Sequence, residues 1–105
     1  AKGGDLQAFF AELMGRRGGC CGGKGGSMHL AFPQKGFMGT SAIVASSLSN
    51  AAGSALALKR RDSSEVVVAV IGDGATEEGV YHEVLNFVGL HRVGGPFKCE
   101  GATIL

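Results

Sequence analysis

The residues best suited to chemistry cluster at one strand-to-helix turn. Val66-Val67-Val68-Ala69-Val70-Ile71 runs directly into Gly72-Asp73-Gly74-Ala75-Thr76-Glu77-Glu78-Gly79. In an open α/β sheet, ligands bind beyond the carboxyl ends of the strands. A helix starting there aims its N–H groups and positive dipole end at the site, which suits a phosphate. Asp73 offers a hard oxygen of the kind Mg²⁺ takes alongside phosphate oxygens and water. The flanking glycines leave room for backbone to approach a diphosphate. The same residues also fit an ordinary Asp turn. Neither G-x-x-x-x-G-K-[ST] nor G-x-G-x-x-G occurs in the chain, so the common nucleotide loops are not matched. Glu77 and Glu78 fall in the expected first helical turn, where negative charge complements the dipole. Beside a diphosphate they would make the metal more necessary. His82 and Glu83 read as exposed or interface positions on the same helix.

A second group lies upstream. Nine of the 19 glycines fall between Gly15 and Gly39, with no period of three. Such a stretch loses much backbone entropy on ordering and has little side chain to bury. It calls for a ligand or a partner to hold it. Arg16, Arg17 and Lys24 lie within it and suit either a solvated loop or an anion site. His29, taken alone, reads as a loop histidine. Cys20, Cys21 and Cys99 lack the C-x₂₋₄-C spacing of a zinc site. Three cysteines also make a poor disulfide scaffold, which points to a reducing compartment.

The elements that must position these groups follow from pattern. Asp5–Met14 reads as a short helix capped by Asp5 and stopped by Gly15, with Leu6, Phe9, Phe10 and Leu13 on one face. Residues 15–40 read as a long loop, a length that is usually functional or disordered. Residues 43–60 read as a helix of small residues, with Lys59, Arg60 and Arg61 suiting its C-terminal end. Asp62-Ser63-Ser64 reads as a turn. Residues 66–71 carry no polar alternation, the pattern of a central parallel strand covered on both faces. A helix then runs from about Thr76 to Arg92, with Val80, Val84, Leu85 and Val88 on its buried face. Gly94-Gly95-Pro96 breaks it, and Phe97-Lys98-Cys99 starts a second strand. The fold class is α/β, as one βαβ piece of a parallel sheet with flanking helices.

Length and charge set the bounds. A chain of 105 residues allows one domain with a thin core. A net charge of +1 argues against general nucleic-acid binding. Residues 36–58 carry no charge, but their Ser, Thr and Asn content is too polar for a spanning helix. A helix buried against another subunit fits better, so no membrane role is expected. No leader segment is visible at the N-terminus.

Three ordered motifs extend the match. Gly22-Gly23-Lys24-Gly25-Gly26-Ser27-Met28-His29-Leu30, then Phe37-Met38-Gly39-Thr40-Ser41-Ala42-Ile43-Val44, then Val70 to Gly79 with Glu83 and Leu85-Asn86-Phe87, together resemble the alpha subunit of thiamine-diphosphate-dependent 2-oxo acid dehydrogenases. This family spans pyruvate, acetoin and branched-chain enzymes. The resemblance implies a partial thiamine-diphosphate-binding fold on its diphosphate side. It implies Asp73 as Mg²⁺ ligand and Gly74 and Ala75 as backbone contacts to the diphosphate. Ala42 and Val44 match positions whose backbone meets the aminopyrimidine, with Ala42 replacing a glycine common in the pyruvate branch. His29 matches the active-site histidine near the thiazolium. The implied cofactors are thiamine diphosphate and Mg²⁺, and the implied reaction is decarboxylation of a 2-oxo acid with acyl transfer to a lipoyl domain. The implied partner is a beta subunit in an α₂β₂ assembly. The location would be the cytoplasm in a bacterium or the mitochondrial matrix in a eukaryote. A transketolase-like enzyme is the alternative within the cofactor class, and the GKGGSMH loop speaks against it. A non-catalytic subunit-interaction piece is the alternative outside it.

The chain also departs from that pattern. The family carries a second metal-ligating Asn at the end of its next strand. The count from Asp73 reaches Gly101 and Ala102, and the only asparagines are Asn50 and Asn86. Residues 94–105 lack the apolar strand expected there, and the family subunit is much longer. The chain is therefore expected to be a fragment whose end, 94–105, is truncated or frame-shifted after about Val93. The gene sequence beyond Leu105 tests this.

Overall fold

The computed structural model describes residues 2–91 and the backbone of 102–104. It divides into two units, Ala1–Ala42 and Ile43–Leu105.

The first unit begins with helix α1, Leu6–Leu13, where the Asp5 carboxylate caps the start by accepting from the Gln7 amide at 2.8 Å. The expected start and stop are both found. The expected apolar face is not what the helix buries. Leu6, Phe10 and Leu13 are exposed, Phe9 is half-buried, and the fully buried residue is Glu12 at 0% exposure. The loop that follows contains only turns and a 3₁₀ helix, Pro33–Lys35, closed by an antiparallel bridge between Phe32 and Phe37.

The second unit holds helix α2 (Ser46–Arg60), strand β1 (Val67–Ala69), a 3₁₀ helix (Asp73–Glu77), helix α3 (Gly79–Leu90) and strand β2 (Ala102–Ile104). Its core is built mostly of alanines, namely Ala45, Ala52, Ala69 and Ala75, with Leu48 and Val84. Small side chains let α2 approach both β1 and α3 closely, but each buries little apolar area. Leu48, at 1% exposure, is the largest apolar side chain in this core.

Two expectations change here. The strand is shorter than 66–71, and only one of its faces is covered among the described residues. Ala69 is buried and Val67 and Ile71 are half-buried, while Val66, Val68 and Val70 are exposed. Alternation in burial along a strand has period two, so a run of valines can have one dry face and one open face. The helix expected from Thr76 is also divided. The 3₁₀ helix ends at Glu77, Glu78 is extended at φ −77° and ψ 138°, and α3 starts only at Gly79.

The strand expected at Phe97–Cys99 lies outside the described residues, as does most of the end, 94–105, expected to be truncated or frame-shifted. A short strand, β2, occurs at Ala102–Ile104. It pairs in parallel with β1 in the register Val67 to Ala102, Val68 to Thr103 and Ala69 to Ile104. Ala102 thus stands beside the start of β1, at the opposite end from Asp73. Among the described residues the strands number two. No described helix is long and apolar enough to cross a membrane.

Candidate functional site

In the second unit, the sequence-predicted residues Asp73, Gly74 and Ala75 come together in one 3₁₀ turn beyond β1. Asp73 and Gly74 are exposed and Ala75 is buried in the core. The turn supports itself. Asp73 Oδ1 accepts from the Gly74 amide at 3.0 Å, and the Asp73 carbonyl accepts from Thr76 Oγ1 at 2.7 Å. The Ala75 amide donates to the Gly72 carbonyl at 3.0 Å. The α3 dipole opens at Gly79, beyond Glu77 and Glu78, so the site faces a 3₁₀ start and not an α-helix N-terminus.

The glycines of this turn are informative. A Cβ added at Gly72 or at Gly74 would meet no atom within 4 Å, and neither residue has a left-handed φ. The fold gives no reason for glycine at either position. The space beside the backbone is open, as close approach by a ligand requires. Val44 also belongs to this unit and is exposed just ahead of α2.

In the first unit, His29 is exposed in a turn, with its amide donating to the Gly25 carbonyl at 3.1 Å. Thr40 holds the residues on either side of it. Thr40 Oγ1 accepts from the Leu30 amide at 2.9 Å and donates to the Met28 carbonyl at 2.8 Å. The Thr40 amide donates to the Leu30 carbonyl at 2.9 Å. Ala42, exposed, lies two residues further on.

Residues 1–100 match the family described as Dehydrogenase E1 component. The chain belongs to this family. Among curated relatives, it is 42% identical over 100 residues to the alpha subunit of acetoin:2,6-dichlorophenolindophenol oxidoreductase of Bacillus subtilis, covering 95% of this chain and 30% of the relative. It is likewise 42% identical over 100 residues to the mitochondrial pyruvate dehydrogenase E1 component subunit alpha-1 of Oryza sativa, covering 95% of this chain and 26% of the relative. The somatic-form mitochondrial pyruvate dehydrogenase E1 alpha subunit of Rattus norvegicus is 43% identical over 95 residues, covering 90% and 24%. The chain therefore spans less than a third of the length of these E1 relatives.

Two residues that hold the Gly-rich loop escape sequence reasoning. One is Thr40, whose hydroxyl role appears only once residues 28–30 and 40 are seen side by side. The other is Glu12. Its Oε2 accepts from the amides of Cys21 at 2.7 Å and Gly23 at 2.8 Å, and its Oε1 from the amide of Gly25 at 2.6 Å. Burial opposes its ionisation. The amides of Gly23, Cys21, Gly25 and Gly26 outweigh that and hold its pKa below the ordinary carboxylate value. One carboxylate thus gathers the Gly-rich loop in front of His29. Two glycines are needed for this approach. A Cβ at Gly19 would press on α1 within 2.6 Å of the Glu12 Cα, and one at Gly25 would collide with the His29 carbonyl. No local sequence signal marked Glu12, since backbone amides accompany every residue but proline.

Replacing Thr40 by alanine removes two hydrogen bonds flanking His29, each worth about 0.5–1.5 kcal/mol. Amide exchange at Leu30 should then rise about tenfold. The Thr40→Ser variant should exchange at the wild-type rate. Equal exchange in wild type and Thr40→Ala would remove Thr40 from the support of His29.

Proposed function

We propose that this chain supplies the diphosphate-binding side of an E1 alpha subunit, the component that decarboxylates a 2-oxo acid on thiamine diphosphate. The observation that carries the reading is the turn at Gly72-Asp73-Gly74, an exposed carboxylate between two glycines that the fold itself does not require. The residues fit the cofactor. Asp73 would hold Mg²⁺ through its carboxylate, and the open faces of Gly72 and Gly74 would admit the diphosphate. Gly74 and Ala75 would line the diphosphate, and Ala42 and Val44 the aminopyrimidine. The bound cofactor would supply the electron sink for loss of CO₂.

His29, on a loop held by Glu12 and Thr40, would move a proton near the reacting carbon and meet the incoming lipoyl group. A beta subunit of the same enzyme is the expected partner, with the whole arranged as α₂β₂. The open valine face of β1 is an apolar surface of the kind that the rest of the subunit or a partner covers.

Titration calorimetry tests the proposal. The chain alone should bind thiamine diphosphate and Mg²⁺ weakly or not at all. Co-expressed with a beta subunit, it should form a stable assembly that binds the cofactor saturably and only with Mg²⁺. An assembly that ignores the cofactor would overturn the reading.

A further inference from the structure

The proposed function leaves one pair of reactive groups in the first unit unused. Cys20 and Cys21 are both free thiols, both half-buried, with their Sγ atoms 3.9 Å apart. We propose that they form a dithiol chelate for a soft divalent cation of the zinc or cadmium kind, with Glu12 as the counter-charge behind it.

The spacing supports chelation. Two thiolates on one tetrahedral zinc, each at about 2.3 Å, stand about 3.8 Å apart. The thiols are therefore already set at the separation a single ion needs. Thiolate is a soft ligand and selects such ions over Mg²⁺ or Ca²⁺. One ligand atom each from Glu12, Cys20 and Cys21 all lie within 4.8 Å of one another. Both Glu12 oxygens already accept backbone amides, so the carboxylate acts by charge and not by coordination. Its negative charge favours a cation at the thiols and disfavours an anion. The Ala31 carbonyl, 4.0 Å from Cys21 Sγ, closes one side, and water completes the coordination from the open side.

Adjacent cysteines are not a spaced zinc motif. Here the loop, gathered onto Glu12, holds both Sγ atoms on the same side. Binding exchanges two S–H bonds for two metal–sulfur bonds and releases two protons to solvent.

Titrating the reduced chain with Cd²⁺ alone, and following sulfur-to-cadmium absorption in the ultraviolet, tests the site. One ion per chain is expected. Cys20→Ser and Cys21→Ser should each weaken binding by about 100-fold, and Cys99→Ser should leave it unchanged. A second measurement needs no variant. In the wild-type chain, Cd²⁺ should protect Cys20 and Cys21, but not Cys99, from alkylation as read by peptide mass. Equal alkylation of Cys20 and Cys21 with and without Cd²⁺ would overturn the proposal, as would loss of the absorption band in Cys99→Ser.

Discussion

Replacing Glu12 by alanine should release the Gly-rich loop, with amide exchange at Cys21, Gly23 and Gly25 rising by tenfold or more, on the order expected when buried donors lose their acceptor. Three amides now converge on one carboxylate that water does not reach. Alanine leaves all three without a partner. Glutamine is the sharper test. Its carbonyl oxygen can replace Oε2 and serve Cys21 and Gly23. Its NH₂ group then faces the Gly25 amide, donor against donor. Exchange should rise most at Gly25 in Glu12→Gln and at all three positions in Glu12→Ala. Trypsin provides an independent reading, because Arg16, Arg17 and Lys24 are exposed cleavage points in the same loop. Cleavage there should follow the same order, wild type slowest and Glu12→Ala fastest. Unchanged exchange at the three amides in Glu12→Ala would remove Glu12 from its place at the centre of the loop.

The same carboxylate makes the loop sensitive to acid. Its pKa is lowered in the folded chain, so its contribution to stability is fully present above the ordinary carboxylate range. That contribution fades as pH falls through that range and is lost once pH passes below the lowered folded value. Exchange at Gly25 should therefore accelerate on acidification in wild type beyond the intrinsic pH dependence. In Glu12→Gln that extra acceleration should be absent.

Glu12 also shows where reading a sequence stops. Helix α1 was legible because its cap and its stop are local chemistry, Asp5 reaching Gln7 and Gly15 closing the turn. The partners of Glu12 were not legible, because they are backbone amides, which every residue but proline carries. Which amide arrives depends on the path of the whole loop. β1 failed differently. Six consecutive apolar residues identify a strand, but whether its second face is covered is a property of the surrounding sheet and not of the run. The division of the last helix at Glu78 was hidden for a third reason. Two glutamates fit a helix start by charge, and nothing local says that the preceding turn is 3₁₀. At the Gly72-Asp73-Gly74 turn the gain went the other way. A bare Gly-Asp-Gly is common in ordinary turns, and the structure adds that neither glycine serves the fold.

That last point yields the most decisive experiment on the turn. In the assembly with a beta subunit, Asp73→Asn should weaken Mg²⁺-dependent binding of thiamine diphosphate by at least about 100-fold. Outer-shell partners of metal sites already cost about 10–100-fold, and Asp73 is proposed as a direct ligand. Gly74→Ala separates binding from folding. An added Cβ meets nothing within 4 Å and the backbone is not left-handed there. Stability should therefore stay within about 0.5 kcal/mol of wild type, the range of neutral surface substitutions, and the melting midpoint should barely move. The methyl group nevertheless stands in the open space beside the Asp73 carboxylate, where the diphosphate is proposed to lie, so affinity should fall by about tenfold. A glycine kept for folding would show the reverse, a lowered melting midpoint with affinity preserved. If both variants bind the cofactor as wild type does, the diphosphate lies elsewhere and the assignment of this turn is wrong.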